Sequence, residues 1–170
     1  MKRLLNMVWL LLASLPVQVM SSSVSDRDMK AALVYNFSVF TTWPETKSEV
    51  FKVCVFYEDQ ENINPEILES KKINGKSVHL EVIRDKSELE NCQVLYLEDT
   101  RSIYEPKFID YLSELSLLTV VDTTHHALLP GIVNIQMENK KYYFSINNEA
   151  AKRSNLVLSS KLLRLATKVY

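Results

Sequence analysis

Three histidines, His79, His125 and His126, and the aspartate Asp122 are the side chains whose types could hold a metal ion or relay a proton. Their spacing does not match the zinc signatures, which pair short C-x-x-C or H-x-x-x-H units or put ligands on one helical face. No metal is therefore expected, and Asp122, at a strand end and followed by Thr123 and Thr124, reads as a helix cap. Ser159-Ser160-Lys161 could be drawn as a serine–lysine nucleophile pair. On a helical wheel, however, Ser159 falls in an apolar arc, where a small residue permits close helix packing. The only glycines are Gly75 and Gly131, so the glycine-rich loops that cradle phosphates are excluded, and no cofactor is expected. No catalytic constellation emerges, and the chain is expected not to be an enzyme.

Export is written into the first residues. Lys2 and Arg3 precede an apolar run from Leu4 to Leu12, and Ser21–Ser23 supply small residues for cleavage. Pro16 and Gln18 interrupt the run before the ~20 residues that a membrane span needs. Residues 1–23 are expected to be a signal peptide, cleaved between Met20 and Val24, leaving one domain over residues 24–170. Its formal charge falls from -1 for the whole chain to about -3, and no basic stripe suggests nucleic acid. In an oxidising compartment Cys54 and Cys92 suit a disulfide closing a loop of about 37 residues, worth ~3–4 kcal/mol by chain entropy. Two buried thiols on neighbouring strands would fit the same local pattern.

The elements that must position these residues begin with Met29–Pro44, a helix apolar over more than half its circumference and stopped by Pro44. Val39, Ala32, Trp43, Met29, Phe40, Leu33 and Phe37 share one arc, with Asn36 in its middle as an expected buried amide. Strands are expected at Val50–Tyr57, Lys76–Ile83, Cys92–Glu98 and Leu117–Asp122, with helices at Asn64–Lys72 and Arg101–Leu115. Ile132–Met137 and Tyr142–Ile146 form a hairpin, Asn147 and Asn148 are candidate caps, and Glu149–Tyr170 is helical with a break at Asn155. This alternation predicts a single α/β domain: a mostly parallel open sheet with helices on both faces, a late antiparallel hairpin and a C-terminal helix.

Lys30–Pro44 (KAALVYNFSVFTTWP) resembles the K-A-A-x-x-x-N-F-x-x-F-x-x-W-P opening of the YfiR family of periplasmic proteins. Leu118–Asp122, the hairpin ending Phe144-Ser145-Ile146-Asn147, and Ala150–Ala166 resemble three further family blocks in order. The signature residues carried over are Lys30, Asn36, Trp43, Pro44 and Asn147, and Cys54 and Cys92 fall where the family places a paired cysteine. Pro130-Gly131 replaces the family's Gly-Gly, and Asn155 replaces a glycine.

The resemblance implies a periplasmic regulator that binds the periplasmic domain of a membrane-bound diguanylate cyclase and represses it, controlling cyclic-di-GMP output and biofilm formation. An outer-membrane lipoprotein that sequesters the regulator is a further implied partner, and a homodimer is left open. The expected contact is Leu128, Leu129 and Pro130 with the hairpin aromatics Tyr142 and Phe144, because apolar groups in a turn often mark an interface. The alternative is a periplasmic small-ligand carrier or sensor using Asp122 and His125 at the carboxyl ends of the strands.

Overall fold

Ser25 opens the first helix with a reciprocal cap: the Asp28 N–H donates to Ser25 Oγ at 3.1 Å, and the Ser25 N–H donates to Asp28 Oδ2 at 3.4 Å. The computed structural model describes residues 25–45, 48–98, 106–124 and 131–170. Helix α1 (Asp26–Val39) ends before the Pro44 that was expected to stop it. Ser38 Oγ and Thr41 Oγ1 donate to the carbonyls of Val34 and Phe37 at 2.8 and 2.7 Å, and Thr41–Thr42 leaves as a short strand, β1.

The face α1 buries also differs from the expected arc. Lys30, Ala31, Val34, Phe37 and Ser38 point inward, whereas Met29, Val39 (44 % exposed) and Asn36 point out. Asn36 is thus not a buried amide: its Nδ2 donates to Ala32 O at 2.8 Å within the helix, beside solvent. Trp43 packs edge-on against Phe51 with ring centroids 5.0 Å apart, and its Nε1–H donates to Gln93 O at 3.1 Å.

The sheet is built from β2 (Val50–Phe56), β3 (Lys72–Ile73), β4 (Lys76–Ile83), β5 (Val94–Leu97), β6 (Leu118–Asp122), β7 (Val133–Glu138), β8 (Lys141–Ile146) and β10 (Lys168–Val169). Its order is β10-β8-β7-β6-β5-β2-β4-β3, parallel except at β3–β4 and β7–β8. This is the expected mostly parallel α/β sheet with a late hairpin. β3 was not foreseen. Beyond the end of α2 (Pro65–Glu69), Asn74 (φ 51°) and Gly75 (φ 81°) make the two-residue turn that joins β3 to β4 in a hairpin. The Asn-Gly pair signals such a turn, because both central residues must take positive φ.

Strand alternation sorts the core into two layers. Val53, Val55, Tyr96 and Val120 face α1 and the short helix α2 (Pro65–Glu69), in one apolar cluster. Cys54, Leu95, Leu97 and Val121 face the other way, under α3 (Pro106–Glu114), with Phe108 and Leu112. Cys54 and Cys92 are joined by a disulfide in this second layer, both buried.

The tail departs most from its helical reading. Asn147 caps α4 (Asn148–Arg153), its Oδ1 accepting from the Ala150 N–H at 2.8 Å. The break at Asn155 is present, with φ 56°. Beyond it, β9 (Val157–Leu158) pairs antiparallel with β1, and α5 (Ser160–Leu165) is a short helix. Ser159 is the cap of α5, accepting from the Leu162 N–H at 3.2 Å, and is not a spacer in a helix interface. The chain then joins the sheet as β10, and Leu165 and Val169 are exposed.

Candidate functional site: a buried lysine at the carboxyl edge of the sheet

Strand period places Tyr96 and Glu98 on the α1 side at the end of β5, and Val120 and Asp122 on the same side at the end of β6. Helix α1 crosses there with Lys30 facing inward, 6 % exposed. Its Nζ lies 2.9 Å from Asp26 Oδ2, 3.1 Å from Glu98 Oε2 and 3.1 Å from Asp122 Oδ2. The contact to Asp122 has ion-pair distance without hydrogen-bond geometry, so Asp122 Oδ2 is held by charge alone. Asp122 Oδ1 accepts from the Thr124 N–H at 2.9 Å, and the helix that Asp122 was expected to cap would fall outside the described residues.

A second ring of groups fixes the first. Tyr96 OH donates to Glu98 Oε2 at 3.1 Å, the Glu98 N–H donates to Asp59 Oδ2 at 3.0 Å, and Tyr142 OH donates to Asp26 Oδ1. One ammonium therefore ties together α1, the ends of β5 and β6 and, through Asp26, the hairpin strand β8.

The protonation states follow from these contacts. Burial pulls the Lys30 ammonium down, but Asp26, Asp122 and Glu98 outweigh it and hold its pKa above the usual lysine value. Burial, then the fields of Glu98 and Asp122, push the Tyr96 phenol up. Burial and the hydrogen bond to Asp26 do the same to Tyr142. A lysine held as ammonium is no nucleophile, and phenols held neutral act as donors, so the arrangement positions elements.

An alkaline profile should show this. Groups whose folded pKa is raised keep their full contribution below the unfolded values, 10.0 for tyrosine and 10.5 for lysine, and lose it as pH rises through the folded ones. The urea midpoint should stay level from about pH 8 to about pH 10 and fall beyond, with a shallower fall in Tyr96→Phe. An identical decline in that variant would remove Tyr96 from the account.

Leu128, Leu129, Pro130, His125 and His126 lie outside the described residues. Tyr142 and Phe144 turn inward: Tyr142 reaches Asp26, and Phe144 packs on Phe37 with ring centroids 4.9 Å apart. They belong to the packing of β8 on α1, because β-alternation sends Tyr142, Phe144 and Ile146 to the core side. The residue that alternation sends outward is Tyr143, cross-strand from Gln136 and 39 % exposed. His79 is exposed on β4 and far along the sheet from Asp122, so these two do not meet.

Lys30 carried no chemical signal in the sequence beyond its place in the opening block. A lone charge between apolar helix positions was the available hint. A family model described as YfiR/HmsC-like matches residues 27–167. The chain belongs to the YfiR/HmsC-like family. Comparison with curated proteins gives no match. The YfiR/HmsC-like match takes in Lys30, Glu98, Asp122 and the disulfide, and the family is regulatory in character, one of periplasmic regulators of cyclic-di-GMP signalling. Asp26, which completes the ion cluster, stands just ahead of the matched residues. No helix among the described residues is long and apolar enough to cross a membrane.

Proposed function

We propose that this protein, released from residues 1–23, binds the periplasmic domain of an inner-membrane diguanylate cyclase and holds it inactive. Release of that contact, through an outer-membrane lipoprotein that sequesters the regulator, would raise cyclic-di-GMP and favour biofilm formation. The observation that carries this reading is the family match over residues 27–167. Repression then works by differential binding, the regulator stabilising the inactive state of the cyclase.

The contact we assign is the outward face of the hairpin at Tyr143, since Tyr142 and Phe144 are engaged with α1. Leu128, Leu129 and Pro130 remain in the proposal on their sequence alone. A tyrosine exposed on a sheet face offers large contact area at low entropic cost, and such anchors carry ~2 kcal/mol or more when central to an interface. Calorimetric titration of the cyclase's periplasmic domain with the mature protein should show binding. Tyr143→Ala should weaken it by about tenfold or more with an unchanged melting temperature. Absence of binding by the parent protein would end the reading, whereas unchanged affinity in Tyr143→Ala would move only the contact.

A further inference from the structure

On the face of the sheet away from Lys30, a cavity of about 60 Å³ lies between α3, β6 and α4. Leu112, Val121 and Ile132 are among its apolar walls. Of the polar residues that line it, Ser154, Asn147 and Arg153 have donor capacity to spare among the described residues. Ser154 is 3 % exposed; its N–H donates to Ala150 O at 3.0 Å, while its hydroxyl makes no hydrogen bond. Asn147 uses its Oδ1 to cap α4 and leaves its Nδ2 unpaired. Arg153, exposed at the rim, makes neither an ion pair nor a hydrogen bond, and reaches Glu149 only through its longer-range field.

Donor groups without partners beside an apolar cavity suit an anionic head group that carries an apolar tail. We propose that this cavity is a binding site for a small aliphatic monocarboxylate. The carboxylate lies across the Arg153 guanidinium, which presents paired N–H groups to two oxygens, with the Asn147 amide and the Ser154 hydroxyl as further donors. The aliphatic end fills the space against Leu112, Val121 and Ile132. The volume sets its length. A dry cavity of about 150 Å³ accommodates benzene, so about 60 Å³ admits two to four carbons and excludes an aromatic ring. Neither Lys30 nor Tyr143 takes part, so occupancy can be tested without the cyclase.

The test titrates the mature protein with sodium acetate, propionate, butyrate and hexanoate at ionic strength held constant with chloride, reading heat and melting temperature. Binding of roughly millimolar strength should be strongest at propionate or butyrate and absent for the matching alcohols. Arg153→Gln, at an exposed position that should fold as the parent does, should weaken the best ligand by about tenfold or more, and Ser154→Ala by a smaller factor. No binding by any acid, equal binding of the alcohols, or an undiminished affinity in Arg153→Gln would each overturn the proposal.

Discussion

Lys30→Met is expected to cost about 3–5 kcal/mol of folding stability, because removing one partner of a buried ion cluster strands the others. Methionine fills much of the same volume but leaves Asp122, with a side chain 1 % exposed, and Glu98, with one 20 % exposed, facing each other across an apolar gap. Urea unfolding at neutral pH measures the loss. Its pH dependence separates charge from packing. In the variant the two carboxylates face each other without a cation, so protonation relieves their repulsion and the deficit should shrink as pH is lowered from about 7 towards about 4. A deficit that stays constant over that range would mean that packing, not charge, had been lost. Adding Asp122→Asn to Lys30→Met should recover part of the loss, a coupling expected of residues in direct contact.

The second large effect belongs to the disulfide. Cys54 on β2 and Cys92 at the entry to β5 are separated by 38 positions, and the chain-entropy model assigns a loop of that size ~3–4 kcal/mol. The double variant Cys54→Ala, Cys92→Ala should lose about that much and melt on the order of 10 °C lower, at the few degrees per kcal/mol expected of a domain this size. The dependence of stability on urea should also steepen, because the unfolded chain without its cross-link exposes more surface. A loss below about 1 kcal/mol would show that the unfolded state was not much constrained by the bridge, as happens when that state retains structure. The bond lies in the layer under α3 and Lys30 in the layer under α1, so the two losses should add.

Much of the strand framework was legible because strands announce themselves locally. Lys76–Ile83 alternates, Leu118–Asp122 is a short apolar run ending in a carboxylate, and each appears as a strand. The Asn155 break was legible for the same reason, since asparagine tolerates the left-handed conformation it adopts at φ 56°. The C-terminal segment was not. Leu156, Leu158, Leu162 and Leu165 suit a helical wheel, but Leu158 pairs with Thr41 and Lys168 with Ser145, and those partners are supplied by distant chain. A two-residue strand has no periodicity of its own to read.

The amino-acid sequence by itself determined six of the sheet's eight strands, the pairable cysteines, the family and the expectation of a regulator without a catalytic constellation. What only the tertiary structure decided is how the opening helix is turned. Its apolar arc, read alone, points Met29 and Val39 inward and makes Asn36 the buried polar group. In the fold, Glu98 and Asp122 arrive from β5 and β6 at the carboxyl edge and offer charge to whichever side of α1 can answer it. Lys30 is the residue that can, and Glu98 is 68 positions away from it. An uncompensated buried carboxylate costs more than a few partly exposed apolar groups recover on burial. The helix therefore turns Lys30 to the sheet, and Asn36 to water.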